Sequence, residues 1–186
     1  MRRLIIAIDQ GTTGSTALVL SDTLEVLGRA NQEFTQYFPT PGWVEHDPSE
    51  ILASVQGALA KALDMADAQP EEIACIGITN QRETVVAWDK HSGEPVYKAV
   101  VWQDRRTAAL CDTLKKDGLE PLFKKRTGLV LDPYFSGTKL KWILDETETR
   151  SKAAAGDVIC GTIDSFLVWH LTGGAAHVTD TSNACR

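Results

Sequence analysis

The chain has 186 residues, 43% of them hydrophobic and 24% charged, the balance of a globular domain large enough to bury a core of its own. Its formal net charge of −6 argues against nucleic acid or anionic membrane as the main partner: such binding needs a clustered excess of Lys and Arg, and Lys124-Lys125-Arg126 is too small to supply it. No apolar run approaches the roughly 20 residues that span a bilayer, and the run after Arg2-Arg3 is too short for a signal-peptide core, so no membrane insertion and a cytoplasmic location are expected.

The first apolar run, Leu4-Ile5-Ile6-Ala7-Ile8, predicts a strand that ends abruptly in Asp9-Gln10-Gly11-Thr12-Thr13-Gly14-Ser15. Gly11 and Gly14 permit positive φ and close approach of a ligand to the main chain. The turn can therefore offer N–H groups and three hydroxyls to a phosphate. Asp9, at the carboxyl end of the strand, suits Mg²⁺ held through water, because that ion prefers one or two carboxylates plus substrate phosphates. The same residues also read as an ordinary β-hairpin, since Ala17-Leu18-Val19-Leu20 is a second strand-like run, and both readings stand on this motif alone.

Residues 24–34 predict a third strand of mixed polarity, followed by a loop with Pro39, Pro41 and Gly42. Asp47-Pro48-Ser49-Glu50 starts a helix, with Asp as N-cap and Pro at the first helical position. The helix runs to about Ala66 on an apolar stripe of Ile51, Leu52, Val55, Ala58, Leu59, Ala62, Leu63 and Ala66. A buried strand over 73–79 then ends in Asn80-Gln81-Arg82-Glu83. Two strands thus end in polar clusters, and because ligands of open sheets bind beyond the strand ends, the two clusters are expected to face one cleft.

Further strands are predicted over 84–88 and 97–102, with a turn over 89–93 between them and Gln103-Asp104-Arg105-Arg106 after them. Asp104 is the expected N-cap of the next helix. Helices over 120–126 and 136–145, a strand over 158–160 and a helix over 163–171 closed by Gly173-Gly174 complete an α/β layer pattern. The small residues of 151–155 read as a mobile loop. There is no internal repeat. Cys75, Cys111, Cys160 and Cys185 form no C-x-x-C pair and read as reduced thiols rather than a metal or redox site.

Five segments carry a resemblance, in order and in register: Asp9-Gln-Gly-Thr-Thr, Pro41-Gly-Trp-Val-Glu-His-Asp-Pro48, Asn80-Gln-Arg-Glu-Thr84, Val101-Trp-Gln-Asp-Arg-Arg106 and Gly161-Thr-Ile-Asp-Ser165. Together they closely resemble the FGGY carbohydrate kinase family, and within it the members that phosphorylate glycerol. The resemblance spans essentially the whole chain. It implies an α/β, actin-like and ribonuclease H-like ATPase domain, with a mixed sheet flanked by helices. Residues 1–186 would be the N-terminal, polyol-binding half, and the second, nucleotide-binding domain would lie outside the chain. The implied reaction moves the γ-phosphoryl of ATP, with Mg²⁺, onto glycerol to give sn-glycerol 3-phosphate and ADP, in an enzyme that is a homo-oligomer when full length.

Carried over by motif, Thr12, Thr13 and Gly14 would contact the ATP phosphates and Asp9 the metal. Thr16 stands where many glycerol-phosphorylating members have an Arg that reaches the phosphates. A hydroxyl cannot replace bidentate guanidinium contacts, so nucleotide binding is expected to differ at Thr16. Arg82 and Glu83 would hydrogen-bond the glycerol hydroxyls, one only donating and the other only accepting. Trp102 would pack on the carbon backbone, and Tyr134 would donate a phenolic hydrogen bond. Without the resemblance, Arg82-Glu83 also reads as an exposed ion pair and Trp102 as plain core. His46 reads as structural, and Asp164 as the N-cap of the helix after it. The family's catalytic base, an Asp followed by Gln, lies beyond Arg186, so no catalytic residue is expected within the chain. The last segment, Asn183-Ala184-Cys185-Arg186, resembles a continuing strand, and the chain reads as truncated there. The alternatives are a kinase of the same family for another polyol or a ketose, and a non-catalytic glycerol-binding fragment.

Overall fold

Alternate burial makes the first strand: Leu4, Ile6, Ile8 and Gln10 turn inward while Asp9 is exposed, in a computed structural model that describes residues 2–186. In chain order the elements are β1 (Leu4–Gln10), β2 (Gly14–Leu20), β3 (Val26–Glu33), β4 (Glu45–His46), α1 (Pro48–Met65), β5 (Ile73–Asn80), β6 (Val85–Asp89), β7 (Ala99–Val100), α2 (Ala108–Lys116), α3 (Glu120–Thr127), α4 (Ser136–Glu146), α5 (Arg150–Ala155), β8 (Val158–Thr162), α6 (Ile163–Leu171) and α7 (Thr181–Ala184). They fall into two compact units. One is the chain up to Thr35 together with Asp47–Gln81, and the other is Gln36–His46 together with Arg82–Arg186.

The first unit is a four-stranded mixed sheet, β3-β2-β1-β5, in which β5 alone runs parallel to its neighbour. α1 lies over β2 and β3. Its start is the expected one: Asp47 is the N-cap, its Oδ1 accepting from Ser49 N at 2.9 Å, and Pro48 opens the helix. The core between helix and sheet is made of Leu4, Ala17, Val19, Ala58, Ala62 and Ala66. Small side chains on the helix bring the two layers close. A Cβ on Gly28 of β3 would stand 2.1 Å from Ala62 O.

The expectation of a buried strand over 73–79 is corrected. β5 is an edge strand whose residues 74–77 are exposed, Ile76 to 48%. An unbroken apolar run fits a strand covered on both faces, but α1 covers the other side of the sheet and leaves β5 bare.

The second unit is built on a sheet ordered β4-β7-β6-β8, all antiparallel. Val85, Ala87, Val100, Ile143 and Val158 form one core cluster, and Trp88 stacks edge-on against Phe166 at 5.4 Å. The strand predicted over 97–102 shrinks to the two residues of β7. Residues 151–155 belong to the helix α5 rather than a mobile loop. The alanines and Lys152 there favour helix.

Asp104 is not a helix cap. Its carboxylate, fully buried, takes N–H groups from Val44 at 2.7 Å and Arg106 at 2.8 Å and pairs with the Arg106 guanidinium, while Thr107 occupies the N-cap of α2. Arg106 also reaches Glu45 at 2.8 Å and lies close to both Trp43 and Trp142, 3.9 and 4.4 Å from their ring centroids. Burial disfavours its charge, but the bonds to Asp104 and Glu45 outweigh that and raise its pKa. This ion cluster ties the segment before β4 to the rest of the unit. Asp164 likewise is not the cap of α6. Thr162 holds that position, and Asp164 sits in the first turn, accepting from the Thr162 and Thr179 hydroxyls. The last residues form a helical turn, α7, capped by Asp180, where a continuing strand was expected. His46 is fully buried and bonded to Gln36 through Nε2 at 2.6 Å, a structural placement.

Candidate functional site

In the first unit, β1 and β2 are joined as a hairpin, with Asp9 opposite Thr16, Gln10 opposite Ser15 and Gly11 N donating to Gly14 O at 2.9 Å. The hairpin reading is therefore correct as a description of the backbone, and it leaves the loop's ligand chemistry open. Neither Gly11 nor Gly14 has a positive φ, which corrects the reason given for them. They are needed for closeness: a Cβ on Gly14 would lie 2.9 Å from Gln32 O, and one on Gly11 would lie 3.2 Å from Gly14 O.

Two of the three hydroxyls in the loop, on Thr12 and Thr13, stay partly or fully exposed. The third does not. Ser15 is buried, and its Oγ is bonded to Ser54 Oγ of α1 at 2.7 Å. Asp9 is exposed and sits in a row across the sheet, between Thr16 of β2 and Thr79 of β5, with Asn31 of β3 donating to Thr16 Oγ1 at 2.9 Å. Thr16 is thus already an acceptor for a neighbouring strand. Below the loop, Gln81 Nε2 donates to Gln10 Oε1 and Gly11 O, both at 3.2 Å, and Gln10 Nε2 donates to Gly11 O at 2.7 Å. These two buried glutamines fix the loop to the ends of β1 and β5. The sequence reading missed them because both sit next to conspicuous charged or glycine motifs.

In the second unit the chain turns sharply at Glu83, a non-glycine residue with φ of +63°. Its carboxylate is buried and accepts from Arg186 Nε at 2.6 Å. That bond raises the Arg186 pKa. The Arg186 guanidinium lies 6.0 Å from the Tyr134 ring centroid and 5.3 Å from that of Phe135. Tyr134 meets Trp102 edge-on at 5.9 Å. Trp102 is half-buried rather than core, and its backbone N–H donates to Thr84 Oγ1 at 3.2 Å. Glu83, Trp102 and Tyr134 therefore stand together. Arg82 is exposed at the turn.

Two residues here were missed by sequence. Arg186 was read only as a chain end. Lys139, fully buried on α4, donates from Nζ to Glu83 O and Tyr134 O, both at 2.7 Å, with Val101 O at 3.5 Å. A lysine four residues before Ile143 on the inward stripe of a helix is the signal that could have found it. A cavity of about 500 Å³ in the same unit is lined by Val85, Leu129, Leu131, Phe135, Leu140 and Val178 among others, and by none of Arg82, Glu83, Trp102 or Tyr134. Its apolar walls offer a polyol few partners. The four cysteines are free, and burial raises the thiol pKa of Cys111 and Cys160.

Residues 4–186 match the N-terminal domain of the FGGY family of carbohydrate kinases, and the chain belongs to that family. It is 56% identical over its whole length to glycerol kinase of Geobacillus sp. (strain WCH70) and 57% identical to that of Halothermothrix orenii. It spans 38% and 37% of those proteins, well under half of each. Among solved structures it superposes on Plasmodium falciparum glycerol kinase with ADP, TM-score 0.92 at 32% identity, covering 100% of this chain and 37% of that one. A gluconate kinase from Lactobacillus acidophilus shares the fold, TM-score 0.83 at 23% identity, covering 100% of this chain and 36% of its own. The fold is accordingly the α/β, actin-like fold of the FGGY kinases.

Proposed function

We propose that this chain is the polyol-binding part of an ATP-dependent kinase that transfers the γ-phosphoryl of ATP to glycerol, giving sn-glycerol 3-phosphate and ADP. The observation that carries the reading is the grouping of Glu83, Trp102 and Tyr134: an acidic acceptor, a flat apolar wall and a phenol, the set a small triol needs. The name of the relatives, glycerol kinase, supports the same substrate.

Phosphoryl transfer is mainly positioning and neutralisation of charge. Glu83 keeps one carboxylate oxygen on Arg186 and offers the other to a substrate hydroxyl. Arg82 donates to a second hydroxyl, Tyr134 donates or accepts at a third, and Trp102 excludes water from the carbon chain. In the other unit, the Thr12, Thr13 and Gly14 segment aligns the phosphates, and Thr16 takes a lesser part than an arginine would, its hydroxyl being engaged by Asn31. Asp9 fits Mg²⁺. Among the described residues no three His, Cys, Asp or Glu side chains gather as a ready-made cage, and an ion with one carboxylate plus phosphate and water is what Mg²⁺ prefers. When bound, that ion neutralises phosphate charge. The base that accepts the hydroxyl proton is placed outside residues 1–186. No helix among the described residues is long and apolar enough to cross a membrane; a cytoplasmic location and a homo-oligomeric full-length enzyme belong to the same proposal.

The test is ADP release by the full-length enzyme offered glycerol, gluconate and xylulose in turn. Turnover with glycerol well above the other two is expected. A preference for gluconate or xylulose would overturn the substrate assignment and leave the family in place.

A further inference from the structure

Lys139 is a fully buried charged side chain in the second unit, and its position explains why it is there. A lysine with no exposed surface is rare unless its donors are all matched. Here they meet three carbonyls: Glu83 O at 2.7 Å, Tyr134 O at 2.7 Å and, more loosely, Val101 O at 3.5 Å. Two of those residues carry side chains of the proposed polyol site, and the third directly precedes Trp102.

The first of them also needs holding. Glu83 has a left-handed backbone, φ +63°, a conformation that is strained for a non-glycine residue and persists only where its surroundings impose it. We propose that Lys139 is a positioning residue for the polyol, its amino group joining the backbone at Glu83, Val101 and Tyr134 so that the side chains of Glu83, Trp102 and Tyr134 keep one geometry. This rests on the glycerol reading given above. Lys139 touches no substrate. It acts by fixing the platform, and small displacements of such a platform weaken binding steeply. Among the described residues, the carboxylates of Asp104, Glu83 and Asp132 lie near enough to favour its charged form.

The experiment uses the full-length enzyme and reads the KM for glycerol against the KM for ATP. Lys139→Met removes all three donations and Lys139→Gln keeps part of them. The exposed Lys141, paired with Asp145 on the same helix, serves as the control site in Lys141→Met. For Lys139→Met a rise in glycerol KM on the order of 10- to 100-fold is expected, with the KM for ATP within about twofold and Lys139→Gln between it and the unsubstituted enzyme. A merely structural lysine would lower the amount of folded enzyme and leave the ratio of the two KM values alone. Unmoved glycerol KM, or both KM values rising together, overturns the inference. If neither variant folds, the resonance of ¹³Cε-labelled Lys139 in the unsubstituted enzyme decides: it must shift with glycerol and not with ATP, and a signal indifferent to glycerol overturns the inference equally. An unsubstituted enzyme that phosphorylates no polyol sinks the glycerol reading and this inference together, whereas an active one with unmoved ratios sinks this inference alone.

Discussion

Burial pushes the Lys139 pKa from its ordinary 10.5 down to about 7, against the opposing pull of Asp104, Glu83 and Asp132. Between those two values the unfolded chain binds the proton and the folded one does not, so stability rises with pH across that window and the burden is full below about 7. Denaturation midpoints of the unsubstituted and Lys139→Met chains should therefore diverge in favour of lysine as pH climbs from 7 towards 10; a difference constant with pH would show that the site does not titrate there. Asp104 makes a second prediction at this scale. Its carboxylate and the Arg106 guanidinium are both fully shielded from water, and removing one partner of such a pair strands the other charge. Asp104→Ala should lower the unfolding free energy by about 3–5 kcal/mol, read from urea unfolding, and a loss near that of an exposed pair would refute the account. The sequence showed Asp104 as a polar residue before a helix and so suggested a cap. Its partner Val44, about sixty residues away, could be found only in the fold.

Packing of whole elements decides the next tier. α1 was readable in full, because its cap and its apolar stripe are local signals. How near it lies to β3 was not. With only 2.1 Å between a Cβ on Gly28 and Ala62 O, Gly28→Ala must push helix and strand apart, and a loss of roughly 1–3 kcal/mol is expected, visible as a lower thermal midpoint. An unchanged midpoint would mean the layers are not in contact there. β5 shows the opposite limit. Seven residues from Ile73 carry the pattern of a covered strand, yet coverage depends on which elements lie over it, and α1 lies over β2 and β3 instead. The hairpin of β1 and β2 was visible as one of two readings of the same glycines. The structure shows a hairpin whose glycines serve close backbone contact rather than positive φ.

For the molecule as a whole, Glu83, Trp102 and Tyr134, the proposed polyol site, lie in one unit and the Asp9 row in the other, and the chain spans 37–38% of its relatives. Glu83, the buried acid of that proposed site, accepts from Arg186. On the proposal that the general base lies outside residues 1–186, the isolated chain should lose a factor of about 10²–10⁴ for that group alone. No glycerol-dependent ADP release is expected from these 186 residues on their own; steady turnover by the isolated chain would show that the base lies within it. What the sequence by itself determined is the class of fold, the family and the start of α1, since periodicity, capping and short motifs are written in neighbouring positions. What only the tertiary structure decided is which of those residues are held and by what: Lys139 beneath three carbonyls, Arg186 on Glu83, Asp104 on Arg106, Ser15 turned away on Ser54. Each of these joins residues at least 38 apart except the Asp104–Arg106 pair and the Lys139 contact to Tyr134, and a buried charge or hydroxyl takes its partner from whatever the fold brings within about 3 Å, not from its place in the chain.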